Sequence, residues 1–343
     1  LFLASGVMTA ALLAGCSSEP PKRSGPKFTG RLFLLTGDTS KGAALAEFTP
    51  YGDGFEMKTI TAGVTEAVAN PDQTRLLYAT KDEVSTRDIA SGTVKPLVKG
   101  ENVCLAWAPD GNHFSYAQRT GGATKFFVGD LDGKTKPILD DPNGSTDCPD
   151  WIAKDRLVID RFVGAQTSKG AEPKPNTSTI VTIGEPVKLK DTQKKWTIES
   201  VCLKDNNGFV RSDQGELLIA KNIDHFETLD PSPAPCSECR FVGYAAQSCY
   251  PFFTEQPLST TTELFSINPM DWKKQKPASI TWTFSTSARF VIKSSARLAV
   301  VGDAPDKLLL IDAESGDVTP FFKNEAERKN VLISPAPIVW IEN

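Results

Sequence analysis

Seven cysteines, two histidines and one dense acidic cluster are the residues of this 343-residue chain best equipped for chemistry. Cys104 and Cys148 each stand three residues before a tryptophan, Trp107 and Trp151. Cys202 lies in Glu199-Ser-Val-Cys-Leu203, an echo of Glu101-Asn-Val-Cys-Leu105. At matching places in successive repeats the three thiols would lie at one level and could ligate a soft metal. The plainer alternatives are buried structural cysteines or a disulfide between repeats, and no metal is assigned. Cys236-Ser-Glu-Cys239 has the spacing of half a zinc site or of a redox pair. Only Cys249 is close by, and the loop is rich in proline (Pro231, Pro233, Pro235), so a structural disulfide is expected instead. Asp140, Asp141, Asn143 and Asp147 offer oxygens that suit calcium, yet the order and closing Glu of an EF-hand are missing; a solvated turn is the expectation. His113 follows a Pro-Asp-Gly turn and His225 is isolated. With no Gly-x-Ser-x-Gly elbow, no triad, no catalytic residue and no cofactor is assigned.

The seventh cysteine, Cys16, closes an uncharged, mostly apolar run from Leu1 to Ala14 and is followed by Ser17-Ser18-Glu19-Pro20. A short apolar segment, small residues and then polar sequence make a secretory signal. The run is too short to span a bilayer, which takes about 20 apolar residues. Leu13-Ala14-Gly15-Cys16 also resembles the lipobox of bacterial lipoproteins. The resemblance implies that Cys16 is lipidated and becomes the first residue after cleavage. On this reading residues 1–15 are a signal peptide with a truncated start, 16–27 a lipidated, Ser/Pro/Lys-rich tether, and 28–343 the folded domain. Export makes disulfides the natural state of the other six cysteines, Cys104, Cys148, Cys202, Cys236, Cys239 and Cys249. The expected pairs are Cys104 with Cys148, and one bond within the loop that holds Cys236, Cys239 and Cys249. The leftover loop cysteine would then face Cys202.

These residues sit in a self-similar chain. Ser85–Val98, Phe126–Leu139 and Leu308–Phe322 each read as strand, Gly-containing tight turn, and Pro four residues after that Gly. Asp88, Asp130 and Asp312 end the first strand, and Gly92, Gly133 and Gly316 supply a positive φ. Pro96, Pro137 and Pro320 place the second strand at a sheet edge, because proline cannot donate to a ladder. A copy without the Pro runs from Ala44 to Ile60. A second signature, strand, Pro109-Asp110-Gly111 turn, strand, fills Glu101–Gln118 and recurs at Thr65–Thr80 and weakly at Asn330–Glu342. Turn markers near 70, 109, 152, 205, 250, 295 and 335 are spaced by roughly 40 to 53 residues. Four short strands per such unit, without helical periodicity, predict an all-β propeller of four-stranded blades. Seven blades are expected, with six or eight as alternatives, and pairing of N- and C-terminal strands should close the ring.

Trp107-Ala-Pro109-Asp110-Gly111 followed by Asp130-Leu-Asp132-Gly133 resembles the TolB-type propeller repeat over residues 65–143 and 290–342, but poorly over 160–280. The polar stretch Val163–Thr179 reads as a surface loop. The resemblance implies a scaffold working through protein contacts. TolB's helical N-terminal domain has no counterpart, so a role in that system does not follow. A net charge of −4 and the absence of Lys/Arg runs exclude a nucleic-acid footprint. The expectation is a lipid-anchored, extracytoplasmic, non-enzymatic scaffold at the cell membrane. Its partners would be the bilayer, through its anchor, and another envelope protein. The alternative is an enzyme, or a glycan or small-ligand receptor, acting at the mouth of the channel.

Overall fold

The computed structural model describes residues 29–341 apart from 38–41, 52–53, 143–147, 162–176, 194–195, 203, 213, 237–238, 245–248, 259–260, 269, 276–277, 281–283, 285–287, 293–297, 304–306, 313–314 and 322–335. Cys16, the signal and the tether lie outside the described residues, as do Asn143, Asp147 and most of Val163–Thr179.

Nearly everything described is antiparallel strand. The chain begins with β1 (Arg31–Thr36), β2 (Ala43–Tyr51), β3 (Gly54–Ala69), β4 (Arg75–Thr80), β5 (Glu83–Asp88) and β6 (Val94–Lys99). Five groups of four follow. They are β7 (Val103–Trp107), β8 (His113–Thr120), β9 (Ala123–Asp130), β10 (Thr135–Asp141); β11 (Asp150–Ala153), β12 (Arg156–Arg161), β13 (Thr177–Thr182), β14 (Lys188–Gln193); and β15 (Trp196–Cys202), β16 (Asn207–Ser212), β17 (Leu217–Lys221), β18 (Ser232–Pro233). The last two are β19 (Arg240–Tyr244), β20 (Pro251–Leu258), β21 (Thr261–Ser266), β22 (Ala278–Ile280); and β23 (Arg289–Ile292), β24 (Leu298–Asp303), β25 (Lys307–Asp312), β26 (Val318–Pro320). The final strand, β27 (Ala336–Ile341), returns to pair with β1, Arg31 opposite Ile341 and Leu32 opposite Trp340. Among the described residues, one 3₁₀ segment, Ile223–Thr228, sits between β17 and β18.

Hydrogen bonding yields one seven-stranded sheet, β27-β1-β2-β3-β4-β5-β6, and five four-stranded sheets. The large sheet arises because β3 is unbroken. Its first part pairs with β2 and its last part, Val64–Ala69, pairs with β4, so one strand is outermost for one group and innermost for the next. Gly63, at φ +75°, lies where the two roles meet.

Period-two alternation explains how the groups pack. On β1, Leu32 and Leu34 join Val300, Leu308 and Leu310 on one side, while Phe33 and Leu35 join Leu76 and Tyr78 on the other. On β12, Leu157 and Ile159 face Val128 and Leu139, whereas Val158 faces Val210 and Ala220. Every second-position strand is thus apolar on both faces, and neither face can be buried without a neighbour. The innermost strands adjoin in cyclic order: β27, β3, β7, β11, β15, β19, β23 and β27 again.

The weak repeat at Asn330–Glu342 lies partly outside the described residues; from Ala336 to Ile341 the chain is one strand, with Pro337 paired to Leu34. This strand is the sole inner strand supplied by the C-terminal stretch among the described residues.

Candidate functional site

The repeat turns lie together at the end where inner strands finish, here called the downstream end. Gly92 (φ +73°), Gly133 (φ +84°) and Gly316 (φ +79°) connect the third and fourth strands of their groups. Each donates its N–H to the carbonyl of Asp88, Asp130 or Asp312, at 2.9, 3.0 and 2.8 Å. Pro96, Pro137 and Pro320 fall on β6, β10 and β26, all sheet edges. Pro109-Asp110-Gly111 connects β7 to β8, with Gly111 at φ +64°. Asp110 Oδ1 accepts from the N–H groups of Asn112 (2.9 Å) and His113 (3.0 Å). Asp110 Oδ2 meets His113 Nδ1 at 2.6 Å, so this histidine serves a turn. His225 is exposed in the 3₁₀ segment. Asp140 and Asp141 end β10, and Asp141 is buried rather than part of a solvated loop.

The six cysteines pair as Cys104–Cys148, Cys202–Cys249 and Cys236–Cys239, with Cα separations of 5.0, 5.5 and 5.6 Å. Such separations suit disulfides. The trio of thiols at one level is not formed. Cys104 is the second residue of β7 and Cys148 lies just before β11, so this pair links two inner strands where they begin, the upstream end. Cys202 is the last residue of β15 and Cys249 lies between β19 and β20, so that pair links two inner strands where they finish. The repeated sequence word occupies opposite ends of its two strands.

Two polar clusters on the inner strands were missed from sequence. Near the upstream end, Glu66 of β3 accepts from Leu105 N–H at 3.1 Å. Burial pushes its carboxyl above the usual range, while the backbone N–H groups of Leu105 and Cys104 and the Arg119 charge pull the other way. The arrangement depends on a bulge in β7, where the register against β8 shifts between Val103 and Ala106 and Cys104 takes φ +61°. A lone Glu between Thr65 and Ala67 was the only signal. At the downstream end, the Tyr244 hydroxyl lies 3.1 Å from Ser200 Oγ, joining β19 to β15. Burial raises its phenol well above the ordinary value; Ser200 opposes this and the Asp205 charge adds to it. Asp205 also lies beside the Cys202–Cys249 pair.

No family model matches the chain, and no curated protein does. Solved structures do. The β-propeller domain of the Trilobed protease from Pyrococcus furiosus matches with TM-score 0.54 at 11% identity, over 87% of this chain and 96% of that one. The periplasmic gluconolactonase of Pseudomonas aeruginosa matches with TM-score 0.52 at 12% identity, over 89% and 98%. This chain has a β-propeller fold. TolB from Acinetobacter baumannii also matches, over 92% and 68% at 12% identity, but its TM-score of 0.47 is too low to carry an argument. At such identities the likeness concerns the fold alone, and the matched proteins are named for unrelated activities.

Buried tryptophans recur on the inner strands. Trp107 Nε1 donates to Val68 O (3.2 Å), Trp151 Nε1 to Ser115 Oγ (3.1 Å) and Trp340 Nε1 to Thr29 O (2.6 Å). Each indole buries its ring and still satisfies its N–H; Trp107 and Trp151 do so across a blade boundary, and Trp340 within the blade that β27 and β1 share.

Proposed function

We propose that the chain is a membrane-anchored, extracytoplasmic seven-bladed propeller that acts as a non-enzymatic scaffold for another envelope protein. Seven blades follow if β3 is counted twice, as outer strand of one blade and inner strand of the next. The cyclic contact of seven innermost strands supports that count. The pairing of all six domain cysteines is the observation that carries the compartment, since such bonds persist outside the reducing cytosol. Lipidation at Cys16 rests on the resemblance of Leu13-Ala14-Gly15-Cys16 to a lipobox.

Anchoring also orients the ring. β1 opens at Arg31 opposite Ile341, the finishing end of β27, and the carbonyl of Thr29 is held by Trp340. The tether of residues 16–27 therefore leaves from the downstream end. Twelve residues reach at most about 40 Å, which favours the downstream face toward the bilayer and leaves the upstream loops for the partner.

The test is membrane fractionation of Cys16→Ser beside the unaltered protein, followed by cross-linking from native membranes. Release of the variant supports the anchor, since stable anchoring needs more than one acyl chain and the serine offers no thiol to carry any. Retention in the same proportion overturns it. A second reading, a channel-mouth enzyme or glycan receptor, draws on Glu66 and the Ser200–Tyr244 pair, polar groups on inner strands. Glycan chemistry can run on carboxylates alone. Loss of a bound glycan on Glu66→Gln, with fold retained, would favour it.

A further inference from the structure

We propose that Cys202, Cys249 and Asp205 form a site for a thiophilic divalent cation such as zinc, opened by reduction of the Cys202–Cys249 bond. This inference stands apart from the anchor and scaffold readings.

The two sulfurs and a carboxylate oxygen of Asp205 all lie within 4.8 Å of one another. A tetrahedral zinc with bonds of about 2.3 Å to sulfur sets two thiolates about 3.8 Å apart. The Cα separation of 5.5 Å allows sulfurs freed from their bond to spread that far by side-chain rotation. Both cysteines are buried while Asp205 is exposed, so two ligands come from the protein's interior and the third from its surface. That leaves the fourth position open to water, the arrangement of zinc sites with three protein ligands.

The turn that carries Asp205 is held in place. Asn206, next in the chain, takes φ +51°. Its side chain donates to Asp224 Oδ1 at 2.6 Å and accepts from Asp224 N–H at 3.1 Å, fixing the turn to the 3₁₀ segment. Cys202 is held by β15 and lies next to the Ser200–Tyr244 link to β19. Among the described residues, neither Cys104–Cys148 nor Cys236–Cys239 has a third His, Cys, Asp or Glu donor in such range. The choice of this pair is therefore a matter of its neighbour and not of thiol number.

The chemistry balances with a dithiol as reductant. Two electrons and two protons pass to the Cys202–Cys249 bond, which breaks to two thiols, and the dithiol leaves as its disulfide. The cation then displaces both thiol protons and takes the Asp205 carboxylate, giving a site with two thiolates and one carboxylate. In the oxidised protein the sulfurs are bonded to each other and the site is closed.

The full folded domain, reduced with a phosphine and freed of reductant under anaerobic conditions, would be titrated with cadmium(II). Sulfur-to-cadmium charge-transfer absorbance in the near ultraviolet is the readout, with zinc as competitor. The reduced protein and Cys236→Ser/Cys239→Ser should both show a saturable site. The oxidised protein and Cys202→Ser/Cys249→Ser should show none. Asp205→Asn should weaken binding about tenfold or more, by analogy with the loss of supporting ligands elsewhere. Equal absorbance and affinity in Cys202→Ser/Cys249→Ser would overturn the proposal, as would Asp205→Asn binding within twofold of the parent. If the double cysteine variant does not fold by circular dichroism, Asp205→Asn decides alone, because it leaves every cysteine in place.

Discussion

Replacing Gly133 by alanine tests the repeat turn and its packing separately. Gly133 has φ +84°, and a Cβ there would stand 3.0 Å from the carbonyl oxygen of Leu97, on outer strand β6 of the preceding blade. The left-handed backbone costs an L-residue roughly 1–2 kcal/mol, and loss of glycine's freedom in the unfolded chain returns about 0.4–1 kcal/mol. The contact is with backbone, so a strand has to move, which adds on the order of 1 kcal/mol. Gly121 is the natural control: its φ is +59°, and a Cβ there would meet nothing within 4 Å. Gly92 is intermediate, because its Cβ would meet Arg87 Nη2 at 3.0 Å, the far end of a flexible side chain. Lys134, next to Gly133 in the chain, is exposed, and alanine there should change stability by about 0.5 kcal/mol or less.

The expected order of loss is therefore Gly133→Ala, about 2 kcal/mol, then Gly92→Ala and Gly121→Ala at about 1 kcal/mol, then Lys134→Ala. Urea unfolding measures it. With a slope of about 3 kcal/mol per M, the Gly133→Ala midpoint should fall by roughly 0.7 M. Valine at the same site should be worse, since a β-branched chain suits positive φ least. If Gly133→Ala loses no more than Lys134→Ala, the turn is misplaced. If it matches Gly121→Ala, the Leu97 contact contributes nothing and the inter-blade part of the reasoning fails.

Thiol counting on the denatured, unreduced domain should find none of the six cysteines from Cys104 to Cys249 free, and peptide mapping should recover the three pairs. Cys104→Ser/Cys148→Ser opens a loop set by a separation of 44 residues, and the loss should approach about 4 kcal/mol on the chain-entropy estimate. Free thiols in the untreated protein would refute the pairing. Because burial raises Glu66 from 4.5, the folded protein holds its proton more tightly than the unfolded chain does. Stability should therefore fall as pH rises from about 4.5 through the raised value, and Glu66→Gln should flatten that slope; parallel profiles would refute the burial argument. A Cβ at Gly208 would collide with the carbonyl oxygen of Ser200, so Gly208→Ala should push β16 from β15 and destabilise by about 1–3 kcal/mol in thermal unfolding; an unchanged midpoint would show that the strands have room.

Legibility from sequence followed the turns. Where Asp, Gly and Pro set the hairpin, as at Asp130, Gly133 and Pro137, local chemistry and final geometry agree, and the strands could be placed. Across β11–β22 the same corners are built otherwise. Lys154 and Asp155 suffice between β11 and β12, Asn206 takes the left-handed position usually given to glycine, and a 3₁₀ segment precedes β18. The similarity to a propeller repeat faded there although four-stranded sheets persist. Continuity of β3 was equally hidden, because nothing between Thr59 and Val64 marks a change from outer to inner strand except Gly63. Glu66 could not be read because its partners are created by a bulge in another strand. Similarity between Glu101–Leu105 and Glu199–Leu203 misled outright, since β15 begins at Trp196 and places its cysteine at the far end.

Junctions between neighbouring blades carry different fastenings, and the differences follow from what each pair of strands can reach. Continuity of β3 joins the first blade to the second through backbone, the β27–β1 pairing completes the first blade itself, and Leu32 and Leu34 pack it against Val300, Leu308 and Leu310 of the last blade. Between the blades of β4 and β8, Trp107 reaches Val68, Glu66 reaches Leu105, and Lys95 Nζ donates to Leu131 O at 2.6 Å. Cys104–Cys148 and Cys202–Cys249 then fasten the β7 blade to the β11 blade and the β15 blade to the β19 blade. The boundary between those two stapled pairs has no disulfide. There Arg156 of β12 donates to the carbonyl of Asp224 and pairs with Glu227 at 3.0 Å, and Lys190 reaches the same carboxylate at 3.5 Å. Desolvation acts to raise Glu227, but its hydrogen bonds and the two cations prevail and hold it below the usual range. The 3₁₀ segment is what brings Asp224 and Glu227 within range, and Ile223 and Phe226 of the same turn bury against Val158 and Ile180. An element with no equivalent in the other blades among the described residues thus stands at a boundary between the two disulfide-linked pairs, and fastens it with charge and apolar contact together.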